Sequence, residues 1–200
     1  MESRKYIVAL GLEYEGTNYL GFQKQKSSKL TIQGLLEAGL KKVANQPIKT
    51  FCSGRTDSGV HALMQVIHFE TNSFRREDEW VRGVNSYLPH DIRLLWSKEV
   101  EESFHARFSA TDRSYRFIIR NSDTPSALWS KRSLYVPKKL DHIAMRKACK
   151  YLLGEHDFTS FRGSGCQSKT AIRNMKKIEI TKNKDLILID LNANAFLLHM

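Results

Sequence analysis

The densest run of chemically capable residues in the chain is Ser53-Gly54-Arg55-Thr56-Asp57-Ser58-Gly59-Val60-His61-Ala62. It falls between two strand-like stretches, Thr50 to Cys52 and MQVIHFET. Two glycines bracket an arginine and an aspartate. A tight connection of this kind holds short side chains out of a sheet at a fixed place, and a functional site needs that rigidity. An ionised carboxylate in a dry pocket needs a paired cation. Arg55 is near in sequence, although one intervening residue on a strand-like turn need not bring the two together. The same residue types also suit an Asx-type turn, with Asp57 bonded to its own backbone and Arg55 a surface charge. The short pattern R-x-D-x-G does not choose between these readings.

Composition narrows the partners. The 200 residues carry 32 Lys and Arg against 21 Asp and Glu, a net charge of +11. Such a surplus points to a polyanion, nucleic acid before an anionic membrane. Lys24, Lys26, Lys29, Lys41, Lys42, Lys138 and Lys139 read as a diffuse phosphate-attracting field rather than as specific contacts. Cys52, Cys149 and Cys166 are odd in number and form no C-x-x-C pair, so no disulfide framework is expected. No H-x-x-x-H pair stands beside a carboxylate, so no metal site is expected. The opening MESRKYIVALGLEY has no apolar stretch suited to a signal peptide, and no later run is long enough to span a bilayer. A cytoplasmic protein without a membrane partner is expected.

Around the motif the elements alternate. Lys5 to Tyr14 reads as a strand with Tyr6, Val8, Leu10 and Leu12 on one face. After a polar loop carrying Tyr19 and Phe22, Thr31 caps a helix with the stripe Ile32, Leu35, Leu36, Leu40 and Val43. The motif's two strands follow. A second helix over Glu77 to Leu88 points Trp80, Val81 and Val84 inward and ends at Pro89 and Asp91. Ile92 to Lys98 and Tyr115 to Arg120 read as strands. Asp141 caps a third helix with inward Ile143, Met145, Ala148 and Leu152, closed by Gly154. A Gly/Ser-rich loop, RGSGCQSKT, precedes the strands MKKIEIT and DLILIDLNA. Residues 121–140, with Pro125 and Pro137, read as a linker. The aromatics Trp80, Tyr87 and Trp96 read as core. The fold class is therefore α+β: pseudo-duplicated β-α-β-β (ferredoxin-like) halves, 1–110 and 111–200, forming one mixed, mainly antiparallel sheet with helices on one face. The final NANAFLLHM is an apolar run without a polar tail, which suggests a chain shortened relative to a longer protein, with the second half incomplete.

The whole motif resembles the signature of the TruA family of tRNA pseudouridine synthases. Further strings agree in the same order: Tyr14-Glu15-Gly16-Thr17 with Gly21-Phe22-Gln23, Gly83-Val84-Asn85 with Leu88-Pro89, Phe104-His105-Ala106-Arg107-Phe108-Ser109-Ala110, Arg113-Ser114-Tyr115-Arg116-Phe117, Asp157-Phe158-Thr159-Ser160-Phe161-Arg162 and Asn194-Ala195-Phe196. The chain departs from the family at Glu15 and Phe22, where Tyr-Asp-Gly and Gly-Trp-Gln are usual, and at Ser114, where a second arginine is common. Family members also continue into a Val-Arg-Asn segment whose arginine pairs with the catalytic aspartate.

The resemblance implies a cofactor-independent isomerase that turns uridines of the tRNA anticodon stem-loop into pseudouridine. Uracil leaves ribose C1′, turns, and rejoins through C5. No redox change occurs, so no small-molecule cofactor or metal is required. Asp57 is implied as the nucleophile, held at the bottom of a cationic RNA-binding cleft. Tyr115 stacks on the target base; the strand alone would equally place it as a half-buried aromatic. The base must be flipped out before it can react, and Arg55 fills the vacated space. Arg75, the segment Phe104, His105, Ala106, Arg107 and Phe108, and the loop Cys166, Gln167, Ser168, Lys169 and Thr170 are implied RNA contacts. Arg107, between two phenylalanines, suits a structural role as well. The partners expected are tRNA and a second copy of the chain in a homodimer. The rival expectation is a non-catalytic RNA-binding or degenerate fragment, which rests on the missing arginine and the apolar end.

Overall fold

The computed structural model describes residues 4–25 and 30–200; Lys26 and Lys29 of the expected cationic field lie outside them. The chain divides into two compact units, Met1–Ala110 and Thr111–Met200.

The first unit contains β1 (Tyr6–Tyr14), α1 (Ile32–Ala44), β2 (Thr50–Cys52), β3 (Ala62–Thr71), α2 (Glu77–Asn85) and β4 (Ile92–Val100). The strands lie in the order β2-β3-β1-β4, all antiparallel. This is the ferredoxin-like β-α-β-β-α-β arrangement. The period-two face of β1 is the foundation: Val8, Leu10, Leu12 and Tyr14 are buried in one cluster with Ile32, Leu36 and Leu40 of α1 and Trp80 and Val84 of α2. Thr31 caps α1 as expected, its hydroxyl accepting from the Gly34 N–H at 3.2 Å. Helix α2 stops at Asn85, before Pro89. Tyr87, expected in the core, is 59% exposed. Trp80 is core, whereas Trp96 lies across Gly11, where an added Cβ would come within 2.1 Å of the indole.

Two irregularities sit at the far end of β1. Its pairing with β3 steps from Leu12↔Gln65 to Tyr14↔Ala62, so β3 holds one extra residue there. Its pairing with β4 steps from Gly11↔Trp96 to Leu12↔Leu94, with Leu95 extra. Such bulges break the in-out alternation and add twist. They account for the exposure of both Leu63 and Met64, which are neighbours in sequence.

The second unit contains β5 (Arg113–Asn121), β6 (Leu134–Val136), α3 (His142–Cys149), β7 (Gly154–Asp157), β8 (Ile172–Asn183) and β9 (Leu186–Ala193). Its sheet runs β6-β5-β9-β8-β7, with β5 and β6 the parallel pair. The α+β, mainly antiparallel character is as expected; among the described residues the first unit holds a sheet of four strands and the second a sheet of five. The stretch 121–140 is not a linker, since β6 lies within it. Asn121 ties it down by donating to the carbonyls of Val136 and Lys138 at 2.8 and 2.9 Å. Asp141 caps α3 through the N–H groups of Ile143 and Ala144. The inward face is a correction: Met145 and Cys149 pack beside Ile119, Ile180 and Ile187, whereas Ile143 and Ala148 are exposed. Gly154, at φ +93°, opens β7. Among the described residues no helix is long and apolar enough to cross a membrane.

The difference in packing is measurable. Leu10→Ala removes a fully buried side chain and is expected to cost about 2–5 kcal/mol. Ile143→Ala, on the exposed side of α3, is expected to stay within about 0.5 kcal/mol of the parent. Urea unfolding of the two variants checks both.

Candidate active site

The motif turn, residues 53–61, joins β2 to β3 at the bulged end of the first sheet. Its entrance is fixed by Gln65, which is buried. Ser53 donates its hydroxyl to Gln65 Oε1 at 2.6 Å, and Gln65 Nε2 donates to the Gly54 carbonyl at 2.5 Å. The Val60 N–H bonds the Asp57 carbonyl at 3.2 Å, closing a four-residue turn. Gly59 stands at its third position with φ +80°, a conformation other residues adopt at a cost.

The loop after β1 clamps this turn from the side. Tyr14 Oη and Thr56 Oγ1 are 2.8 Å apart. The Phe22 N–H donates to the Thr56 carbonyl at 3.0 Å, and the Ser58 hydroxyl to the Tyr19 carbonyl at 3.1 Å. The Gly16 N–H donates to His61 Nδ1 at 3.2 Å. Two glycines permit the approach. A Cβ on Gly16 would lie 1.9 Å from the Val60 carbonyl oxygen, and one on Gly21, at φ +81°, 2.8 Å from that of Thr56. The loop is itself braced at the start of β4: the Tyr19 hydroxyl donates to Asp91 at 2.6 Å and the Glu15 N–H to the Asp91 carbonyl at 2.9 Å. Burial first, and then the bond to Asp91, push the Tyr19 phenol well above its ordinary range. Underneath, the buried Glu37 of α1 accepts from the backbone N–H and hydroxyl of Thr50, the first residue of β2.

Within this rigid turn the side chains of Arg55, Asp57 and Ser58 are exposed. Within the first unit Asp57 is thus exposed and not in the dry setting expected for it. Among the described residues no group of three or more His, Cys, Asp and Glu could hold a metal ion.

The segment 104–108 is brought close to the motif. His105 lies 5.5 Å from Phe51, whose strand leads directly into the turn. Phe108 is 75% exposed, with His105 against its ring at 4.3 Å and the Arg107 guanidinium over it at 5.6 Å. Arg75 is at the other end of the sheet. Ten residues of β3 separate it from the turn, about 30 Å at strand rise, and its guanidinium donates to the carbonyls of Phe74 and Val43. A cavity of about 280 Å³ lies beside it, lined by Tyr6, Phe74 and Trp80 among others, equally far from Asp57.

In the second unit Tyr115 is half-buried on β5, its ring edge-on to Phe196 at 5.0 Å. The loop 166–170 is held by two arginines. Arg162 donates to the carbonyls of Cys166 and Ser168 at 3.1 and 2.6 Å. Arg173, buried, donates to the Ser168 hydroxyl at 2.5 Å and to the Thr170 carbonyl at 3.1 Å. Gln167, Lys169 and Thr170 are left exposed. The backbone N–H groups of Leu198 and Ser168, with Arg162, draw the Cys166 thiol below its usual range. The sequence reading missed Arg173, Gln65 and His61 as supports. An arginine just after a Gly/Ser-rich loop was the available sign for the first.

This basic α+β chain, with an exposed aspartate on a clamped turn, matches the sequence profile described as tRNA pseudouridine synthase over residues 12–109 and 148–200. The chain belongs to that family, a family of isomerases. It is 49% identical over 193 residues to the tRNA pseudouridine synthase A of Coxiella burnetii (strain Dugway 5J108-111), covering 96% of this chain and 74% of that protein. The same identity and coverage hold for the protein of that name from Shewanella sp. (strain MR-4). The Buchnera aphidicola subsp. Schizaphis graminum (strain Sg) protein of that name is 49% identical over 199 residues, 100% of this chain and 75% of its own.

The clamp can be tested apart from catalysis. Gly16→Ala is expected to speed amide exchange across 53–61 while the far-UV spectrum is unchanged. Gly59→Ala, whose added Cβ meets nothing within 4 Å, is expected to cost only about 1–2 kcal/mol for its positive φ.

Proposed function

We propose that this chain isomerises uridine to pseudouridine in the anticodon stem-loop of tRNA, with Asp57 as the nucleophile. The observation that carries the reading is the exposed Asp57 on a turn whose backbone is fixed by hydrogen bonds from the loop after β1 and from Gln65. An exposed carboxylate on a fixed backbone suits a substrate that arrives as a flipped nucleoside on a large polyanion and supplies the cover itself. The net charge of +11 suits that polyanion.

In the reaction the Asp57 carboxylate adds to the nucleoside, at ribose C1′ or at uracil C6. The C1′–N1 bond breaks and the freed base turns. A C1′–C5 bond forms, the C5 proton is lost, N1 gains a proton, and the carboxylate departs. Atoms and electrons balance without an oxidant or a metal. Tyr115 stacks on the target base. Arg55, beside Asp57 on the exposed turn, fills the space that the flipped base vacates. Phe104 to Phe108, Cys166 to Thr170 and Arg75 contact the RNA. The distance of Arg75 from the turn suits a contact far along a tRNA rather than at the reacting base. A cytoplasmic homodimer is the setting that goes with this reading, since the TruA-like strings imply the dimer and tRNA is a cytoplasmic substrate.

Asp57→Asn keeps the shape of the side chain and removes the nucleophile. Pseudouridine formation, mapped by mass spectrometry in tRNA, is expected to fall about a thousandfold or more, with tRNA binding retained. Activity close to the parent's would refute the assignment. Binding should also weaken steeply between about 50 and 200 mM salt; a flat salt response would argue against a phosphate-led interface.

A further inference from the structure

His68 lies in β3 with 4% of its surface exposed. Its cross-strand partner Phe51 stacks on it at 5.1 Å. Phe104 meets it edge-on at 5.9 Å and His105 at 4.6 Å. The decisive contact is polar: the backbone N–H of Ala106 donates to His68 Nδ1 at 3.1 Å. An accepting Nδ1 carries no proton, so the ring is the neutral tautomer with its hydrogen on Nε2. Ala106 is itself 3% exposed. Its N–H is thus a buried donor that the imidazole satisfies, and a buried donor deprived of its acceptor is costly.

From this buried anchor the rings continue outward. His68 touches His105, and His105 touches the exposed Phe108. We propose that His68 is a positioning residue for tRNA binding: its neutral imidazole seats the 104–108 segment through Ala106, and protonation of that ring unseats it. The proposal rests on reading 104–108 as an RNA contact.

A protonated His68 would direct an N–H at the N–H of Ala106. The groups around the ring set the direction of its titration. Burial first, then the neighbouring His105, hold His68 below the ordinary imidazole range, while Glu70 on the same strand and a backbone hydrogen bond at Phe51 oppose them. Lys49, over the Phe51 ring at 5.3 Å, and Arg107, over Phe108 at 5.6 Å, are further cations near these rings. Because the folded value is depressed, the stabilisation is present above the ordinary imidazole value and is lost as pH falls through the lowered one. The seat therefore holds at neutral pH and gives way on the acid side.

Two variants separate the acceptor from the packing. His68→Phe keeps a ring and removes the acceptor; His68→Asn supplies an amide oxygen that does not titrate. Amide exchange of peptides covering 101–110 is measured in the free protein, and tRNA affinity is measured between about pH 5 and 8. For His68→Phe, exchange in this segment should be faster and binding about tenfold weaker at neutral pH. For His68→Asn, neutral-pH binding should approach the parent's, and the acid-side loss of affinity should flatten. Should His68→Phe not fold, the pH profile of His68→Asn decides alone. Unchanged exchange in folded His68→Phe, or a parental acid limb in His68→Asn, overturns the proposal. Arg107→Ala tests the premise separately. Undiminished tRNA affinity in that variant, together with faster exchange but unchanged affinity in His68→Phe, overturns the RNA-contact reading of 104–108 and with it the proposal, and leaves only a structural anchor.

Discussion

The first unit is organised around a close approach of two backbones. The loop that leaves β1 presses against the turn between β2 and β3 so tightly that no side chain fits at Gly16 or Gly21. Hydrogen bonds from Phe22, Ser58 and Gly16 then lock the two together. Everything that supports the loop consequently supports the turn. The Tyr14 ring reaches down into the core, Asp91, just before β4, holds Tyr19 and Glu15, and Glu37 ties α1 to the start of β2. The backbone that carries the exposed Asp57 is thereby fixed on this side of the turn, which is the rigidity a site on a loop needs.

The two units do not share this economy. The first has one continuous apolar cluster joining β1, both helices and the strand ends. The second has two small clusters and a helix with no buried residue. Its order comes more from polar devices: Asn121 stitching 136–140 to β5, Arg116 forming a paired ion bridge to Asp190 at 2.6 and 2.9 Å, and Arg162 and Arg173 collecting carbonyls of the 166–170 loop. The exposed bridge is worth little alone, but the buried Arg173 is committed to its loop. Local opening is expected to be easier where such bonds replace apolar burial.

Much of this was legible in the residues. The ten-residue motif announced a turn between strands, and Thr31 and Asp141 announced the starts of α1 and α3. What stayed hidden had physical reasons. Strand β7, GEHD, is exposed throughout and has no apolar period to read. Strand β6 has three residues and a following proline, and it exists because β5 offers a free edge. On α3 the apolar residues at 143, 145, 148 and 149 admit two stripes, and only the sheet beneath chooses Met145 and Cys149. On the turn, the motif left two settings open for Asp57 and Arg55, a dry pocket or a surface, because how exposed a turn is depends on strand ends and bulges; both residues are exposed. His68 and Gln65 looked like ordinary strand residues. Their roles appear only once Ala106 and Gly54 are found opposite them.

The bulges at the end of β1 have an evolutionary consequence. In a regular strand, inserting one residue exchanges the two faces of everything that follows. Here the extra residues in β3 and β4 already absorb such a step locally. Ile67 and Phe69 keep their places in the core while the neighbouring turn is rotated independently. A residue gained or lost beside the motif turn would therefore re-aim the turn, with the inherited interior left intact.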